Sequence, residues 1–290
     1  YTTAGTRRSV IAVDGTTGEL LWTYGDRTEG PRAAASPRGL SGRGLSYWTD
    51  GTQKRIYYIT AGYRLVALDA MTGARVSSFG NDGIVDLKQD FDQPLDPVTG
   101  EVGVHSTPTI AGNTIIVGAA MREGFTPRAH NNTKGYVRGF DVLTGKRKWI
   151  FHTIPQKGEF GYDTWLNGSA EETGNTGVWT QVSVDEKLNL AYLNVESPTS
   201  DFYGGHRPGT GLYGNSIVAV DLDSGKVKWF YQLIHHEIWD ADNSSARLLM
   251  DVTVDGKPRQ VVGVPSKQGL FYVFDRATGT PIWPIKETKV

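Results

Sequence analysis

The segment "HHEIWDAD", residues 235–242, places two imidazoles, three carboxylates and an indole within eight positions. Three chemistries are compatible with it. The first is a metal site. In an extended chain, neighbouring side chains point to opposite faces, so His235 and His236 cannot both face one ion, which weakens a His–His zinc site. The second is a polar strand end, with Trp239 packed and its neighbours capping the backbone. The third is a carboxylate, Asp240 or Asp242, held beside a substrate as a general base. The eight residues alone leave these readings open.

Other residues of chemical interest are scattered. Glu123 follows the apolar run "TIIVGAA" in "AAMREGF", and Arg43 lies between glycines in "GRGLSYW", where backbone can approach a flat anion closely. Trp179 stands in "NTGVWTQVS", Thr199 in "VESPTSDFYGG" and Lys267 in "VPSKQG". Taken singly, the bland alternatives are a solvated glutamate, a surface arginine pair and a core tryptophan. There is no G-x-S-x-G nucleophile elbow, no H-E-x-x-H and no glycine-rich phosphate loop.

What positions these residues is a repeat. "VIAVDGTTGELLWTY" (10–24), "LVALDAMTGARVSSF" (65–79), "VRGFDVLTGKRKWIF" (137–151), "IVAVDLDSGKVKWFY" (217–231) and "FYVFDRATGTPIWPI" (271–285) share one form. Each is an apolar strand, then D-x-x-[TS]-G, then a second apolar segment. Aspartate accepts hydrogen bonds from the turn backbone and glycine closes the turn in the left-handed region. Trp22, Trp149, Trp229 and Trp283 follow their aspartates by eight residues, where an indole can fill the gap between sheets; the second copy has Ser77 there. The aspartates recur 55, 72, 80 and 54 residues apart, the length of one four-stranded blade with loops inserted in the middle repeats. The fold class expected is all-β: a β-propeller of four-stranded antiparallel blades, five of them visible. "DPVTG" at 96–100 imitates the turn without an apolar lead-in and is expected in a loop. Residues 25–45, 120–135 and 153–180 read as long loops, where function usually resides.

Composition adds limits. Thirty basic and thirty-one acidic residues give a net charge of −1, so no basic field points to nucleic acid. Cysteine is absent, which removes disulfides, thiolate metal sites and cysteine nucleophiles. No apolar run approaches the roughly 18 residues of a membrane span. The chain starts at Tyr1 without a secretory apolar region, as expected of a partial domain, residues 1–290, whose opening strands and closing blades lie elsewhere.

Through "SGRGLSYW", "VDLKQDFDQ" after "FGNDG", "TKGYVRGFDVLTGKRKW", "SPTSDFYGGHRPG", "HHEIWDAD" and "KQGLFYVFDRATGTP", the whole chain resembles a quinoprotein dehydrogenase dependent on pyrroloquinoline quinone (PQQ), nearest the glucose-dehydrogenase-like branch. The pairing of "HHEIWD" with "KQG" twenty-seven residues after its aspartate is the specific part. The resemblance implies an eight-bladed ring and the following roles. Asp240 is the catalytic base, and Lys267 is the cation beside the quinone oxygens. Trp179 is the surface on which PQQ stacks, and Arg43 pairs with a PQQ carboxylate. Glu123 and Thr199 are ligands of a Ca²⁺ ion that polarises the quinone carbonyl. Asp240 would then remove the proton of an alcohol or sugar hydroxyl while hydride passes to the quinone. The location implied is periplasmic, with attachment to the inner membrane through a segment absent here as one form of it. Electrons would leave to a membrane quinone or a cytochrome.

Three departures bear on this. Gly124 stands where glucose-type enzymes carry an asparagine ligand. There is no vicinal cysteine pair and no haem-binding C-x-x-C-H. A non-catalytic envelope propeller that binds other proteins is the competing class. It gives no reason for Asp240, Lys267, Trp179, Arg43 and Glu123 to occur together. The piece alone is expected to be inactive.

Overall fold

A computed structural model describes residues 1–5, 9–25, 29–37, 44–104, 106–121 and 131–288. Five antiparallel sheets follow one another along the chain. The first holds β1 (Thr2–Ala4), β2 (Ser9–Val13) and β3 (Leu20–Tyr24). The second holds β4 (Ser46–Thr49), β5 (Lys54–Ile59), β6 (Arg64–Asp69) and β7 (Ile84–Asp86). The third holds β8 (Thr109–Ala111), β9 (Thr114–Val117), β10 (Val137–Asp141) and β11 (Arg147–Phe151). The fourth holds β12 (Ser183–Asp185), β13 (Leu190–Val195), β14 (Ser216–Asp221) and β15 (Val227–Gln232). The fifth holds β16 (Leu248–Val254), β17 (Lys257–Pro265) and β18 (Phe271–Asp275). The blade expectation therefore holds in full for the three middle sheets; the first, which already contains β1, and the fifth are each one strand short of four among the described residues.

The repeat motif forms the same turn five times. In the third copy Asp141 Oδ1 accepts the N–H groups of Leu143 (3.1 Å) and Thr144 (2.8 Å), and Gly145 donates to the Asp141 carbonyl at 2.8 Å. "DPVTG" makes the same Asx turn, with Asp96 Oδ1 accepting from Val98 and Thr99, but no strands flank it. The tryptophans explain the spacing. The Nε1 groups of Trp22, Trp149 and Trp229 donate to the carbonyls of Ala70, Leu222 and Arg276, each one residue past the motif aspartate of another blade. The three indoles lie on Gly73, Gly225 and Gly279 of those same turns, so close that a Cβ there would stand 2.5–2.6 Å from the ring. Within its own blade each indole faces a small residue across the sheet: Ala12, Gly139 or Ala219. Trp283 has no following turn in this chain and is exposed.

Two returning segments depart from the expected hairpin. In the second copy residues 75–79 make only one bridge, Leu68 to Arg75, and β7 supplies the outer strand. Without a tryptophan at Ser77, Val85 and Phe79 pack on Gly145 instead. In the fifth copy only Phe274 and Pro281 bridge, because Pro281 and Pro284 cannot donate to a ladder. Two of the expected long loops also contain helical turns, α1 (Gly30–Ala34) and α2 (Ser169–Glu172).

Apolar cores lie between blades. Val10 meets Ile56 and Val66; Tyr57 and Leu65 meet Ile115 and Phe140; Ile116 and Trp149 meet Leu193 and Val218; Tyr192 and Trp229 meet Val262 and Phe274. The first strands of neighbouring blades converge, β4 on β8 and β12 on β16. Hydrogen bonds stitch them together: Ser46 Oγ to the Pro108 carbonyl, Thr109 Oγ1 to the Val182 carbonyl (3.5 Å) and Ser183 Oγ to the Arg247 carbonyl (2.8 Å). These strands are therefore innermost. Because strand direction alternates, the D-x-x-[TS]-G turns lie at one end of the blades. The connections into each first strand, and those between second and third strands, lie at the other.

Candidate functional site

Trp179 and Asp240 precede the first strands β12 and β16. Thr199 lies between β13 and β14, and Lys267 between β17 and β18. All four belong to the end opposite the repeat turns, as the connectivity requires. Arg43 and Glu123, the expected PQQ-carboxylate and calcium residues, lie outside the described residues, as does Gly124.

Hydrogen bonds join the segments that carry the four. The stretch carrying Trp179 runs against residues 196–199: Glu196 N–H donates to the Gly177 carbonyl (3.0 Å), Gly177 N–H to Glu196 Oε1 (2.9 Å) and Thr199 N–H to the Gly174 carbonyl (3.1 Å). The same residues grip the next blade's loop. Ser197 N–H donates to Asp242 Oδ1 at 3.0 Å, and Ser197 Oγ donates to Glu237 Oε2. Asn194 Nδ2 bridges Thr180 Oγ1 (2.9 Å) and the Ser245 carbonyl (2.6 Å). Across the last loop, Lys267 Nζ donates to the Asp240 carbonyl at 2.8 Å and to Asp240 Oδ2 at 3.2 Å, and stands 3.8 Å from Asp242 Oδ2.

The geometry bears on each reading of "HHEIWDAD". The two histidines diverge: His235 Nδ1 is 3.8 Å from Glu287 and His236 Nδ1 is 2.9 Å from the Gly209 carbonyl. Packing of Trp239 is corrected, since its side chain is 52% exposed. Glu237 caps the loop instead. Its Oε1 accepts the N–H groups of Trp239 (2.5 Å) and Ala241 (3.1 Å), turning the backbone so that the indole faces outward. Asp240 is half-exposed and ion-paired, whereas Asp242 is buried.

The electrostatics are those of a crowded acidic pocket with one lysine. Burial pushes the Asp242 carboxyl up to about 6, against the lowering effects of Ser197 N–H and Lys267. Burial, with the charges of Asp240, Asp242 and Glu237, pushes Asp201 up to about 7. Burial also pulls Arg207 down to about 10, although Glu237 and Asp201 favour its charged form. Thr199 is fully buried, and its Oγ1 has no hydrogen-bond partner among the described residues. A buried hydroxyl normally finds one, so this atom suits a ligand. Trp179 is half-buried. Asp201, Glu237, Ser197 and Arg207 are the pocket members that the sequence reading did not single out. Asp201, Ser197 and Arg207 lie in "SPTSDFYGGHRPG", where only Thr199 stands out by its match to the family.

The model of the PQQ family described as "Glucose/ethanol/alcohol dehydrogenase, beta-propeller domain" matches residues 1–290. The chain belongs to that family. Within it, the quinoprotein glucose dehydrogenase of Gluconobacter oxydans is 34% identical over 98% of this chain and 36% of its own length. The quinohemoprotein alcohol dehydrogenase ADH-IIG of Pseudomonas putida is 31% identical over 96% of this chain and 37% of its own. The solved structure of ADH-IIG superposes with a TM-score of 0.79 at 29% identity, covering 97% of this chain and 40% of that one. A europium-containing methanol dehydrogenase, 22% identical with a TM-score of 0.74, shares the fold. The chain spans a little over a third of the length of these curated relatives. Membership of the PQQ propeller family bears out the resemblance and the all-β propeller.

Proposed function

We propose that this chain carries the proton-handling face, and part of the cofactor-binding face, of a PQQ-dependent dehydrogenase that oxidises an alcohol or sugar hydroxyl. The observation that carries the reading is the Asp240–Lys267 pair, with Asp240 in a loop that the segment Glu196–Thr199 ties to the stretch carrying Trp179. These residues come from four separate connections at one end of the propeller. The relatives' printed names, glucose and alcohol dehydrogenases among them, support the substrate class.

The residues present fit the group the family implies. Thr199 Oγ1 is a buried oxygen without a partner, and Ca²⁺ is a hard cation that takes oxygen donors. Thr199, with Glu123, would hold Ca²⁺; Trp179 would stack against the PQQ plane; Arg43 and Lys267 would offset its carboxylate charge. Bound PQQ with its Ca²⁺ supplies the two-electron acceptor. The chain's own part is proton transfer. Asp240 accepts the hydroxyl proton of the substrate at its carboxylate, and its partial exposure leaves room for that hydroxyl. Lys267 keeps the Asp240 carboxylate aimed by holding both its Oδ2 and its backbone carbonyl. A membrane quinone or cytochrome would take the electrons, and the periplasm is the location this chemistry suits.

The test uses the full-length protein freed of metal and cofactor. PQQ binding is measured by equilibrium dialysis with and without Ca²⁺, followed by dye reduction with sugars, polyols and simple alcohols. Tight, Ca²⁺-dependent binding and turnover on at least one substrate are expected. No PQQ binding in either condition would overturn the reading in favour of a protein-binding propeller.

A further inference from the structure

Asp240 sits at φ +54°, a left-handed conformation that costs an aspartate free energy, and it does so at the residue proposed to act as base. Something must hold it there. The two amides flanking Asp240, Trp239 N–H and Ala241 N–H, both donate to one oxygen, Oε1 of Glu237, at 2.5 and 3.1 Å. The other oxygen, Oε2, is taken by Ser197 Oγ, and the Glu237 backbone carbonyl is taken by Arg207 Nη2. Glu237 is 1% exposed, so its charge is removed from water and compensated by these donors and by the neighbouring guanidinium. Ser197 is fixed in turn: its N–H binds Asp242 and its carbonyl accepts Asn175 Nδ2 at 3.0 Å.

We infer that Glu237 is a positioning residue for Asp240, an anionic peg around which the backbone of residues 239–241 turns so that the Asp240 carboxylate meets Lys267. Both Glu237 carboxylate oxygens are engaged by its own loop and by Ser197, so it acts through the loop. The inference rests on Asp240 being the base, and the experiment separates the two ideas.

In full-length protein loaded with PQQ and Ca²⁺, Glu237→Ala is expected to lower kcat by roughly 10- to 100-fold, the scale of a misplaced reacting group. KM should stay within about twofold and PQQ content should not change, since the change lies in aim rather than occupancy. Glu237→Gln should recover to within about threefold, because an amide oxygen accepts the same two N–H groups. In an Asp240→Asn background, Glu237→Ala should cost nothing further, as expected for two residues acting through one carboxylate. Should the alanine variant not fold, Glu237→Asp, which keeps the charge but is shorter, serves in its place and should fall between parent and alanine. Hydrogen exchange supplies a readout independent of turnover: the amides of Trp239 and Ala241 should lose protection in the alanine or aspartate variant. Unchanged protection there, or a full additional loss on top of Asp240→Asn, overturns the positioning role. Full activity of Asp240→Asn alone would overturn the base assignment, while the exchange result would still report whether Glu237 holds the loop.

Discussion

Gly225→Ala tests the rule that joins one blade to another. Gly225 closes the fourth repeat turn at φ +67°, and a Cβ there would lie 2.6 Å from Cε3 of Trp149. The left-handed conformation costs alanine about 1–2 kcal/mol. Forcing a methyl into a packed indole adds about 1–3 kcal/mol of overpacking. The total is about 2–5 kcal/mol, a large share of the roughly 5–15 kcal/mol that holds a typical domain. Gly112 is the control. It lies in the β8–β9 turn of the third sheet at φ +51°, with a described sheet on either side, yet among the described residues nothing lies within 4 Å of its would-be Cβ. Gly112→Ala should therefore cost only the backbone share, about 1–2 kcal/mol. Urea unfolding of the full-length protein, followed by tryptophan fluorescence, reads both as midpoint shifts. Equal shifts for the two variants would refute the claim that the tryptophan of one repeat is seated on the glycine of another.

Thr199→Val should leave unfolding midpoints unchanged, because the hydroxyl makes no hydrogen bond, yet weaken Ca²⁺ binding at least about tenfold; unchanged Ca²⁺ titrations would remove Thr199 from the metal site. The N–H groups of Thr17 and Thr16 hold the Asp14 carboxyl below its ordinary value, so its contribution is complete above pH 3.8 and is lost as pH falls further; Asp14→Asn should flatten that part of the stability profile, and an unaltered profile would refute it. Residues 1–290 expressed alone should self-associate and reduce no dye with PQQ and Ca²⁺. Their first and fifth sheets expose Leu20, Leu21, Leu248, Phe271 and Trp283. A monodisperse monomer with turnover would contradict this.

The fold was legible because its signal is local and repeated. Asp, Gly and Trp at fixed spacing specify a turn, its closure and the contact with another blade, all within fifteen residues. The second and fifth copies depart from the hairpin where that local signal weakens. Ser77 cannot seat on a glycine, and Pro281 interrupts the return strand, so tertiary packing chose other partners. The site was legible only in part. Asp240, Lys267, Trp179 and Thr199 come from a pattern of motifs, and the loops that carry them are hydrogen-bonded to one another at one end of the blades. The supporting shell was not legible, because Glu237, Ser197 and Asp201 acquire meaning only when loops some forty residues apart meet. Glu237 looked like one polar residue among several. Its role shows only in which amides its carboxylate accepts.

The most direct test of the account compares Asp240→Asn and Asp242→Asn in the full-length protein loaded with PQQ and Ca²⁺. Both substitutions keep the shape and remove one carboxylate charge beside Lys267. Removal of a general base costs about 10²–10⁴-fold in rate. Asp240→Asn should show that loss at saturating substrate with PQQ still bound, whereas Asp242→Asn, buried and held by Ser197, should lose far less. Equal losses at both positions, or no loss at Asp240, would contradict the assignment of Asp240 as the base.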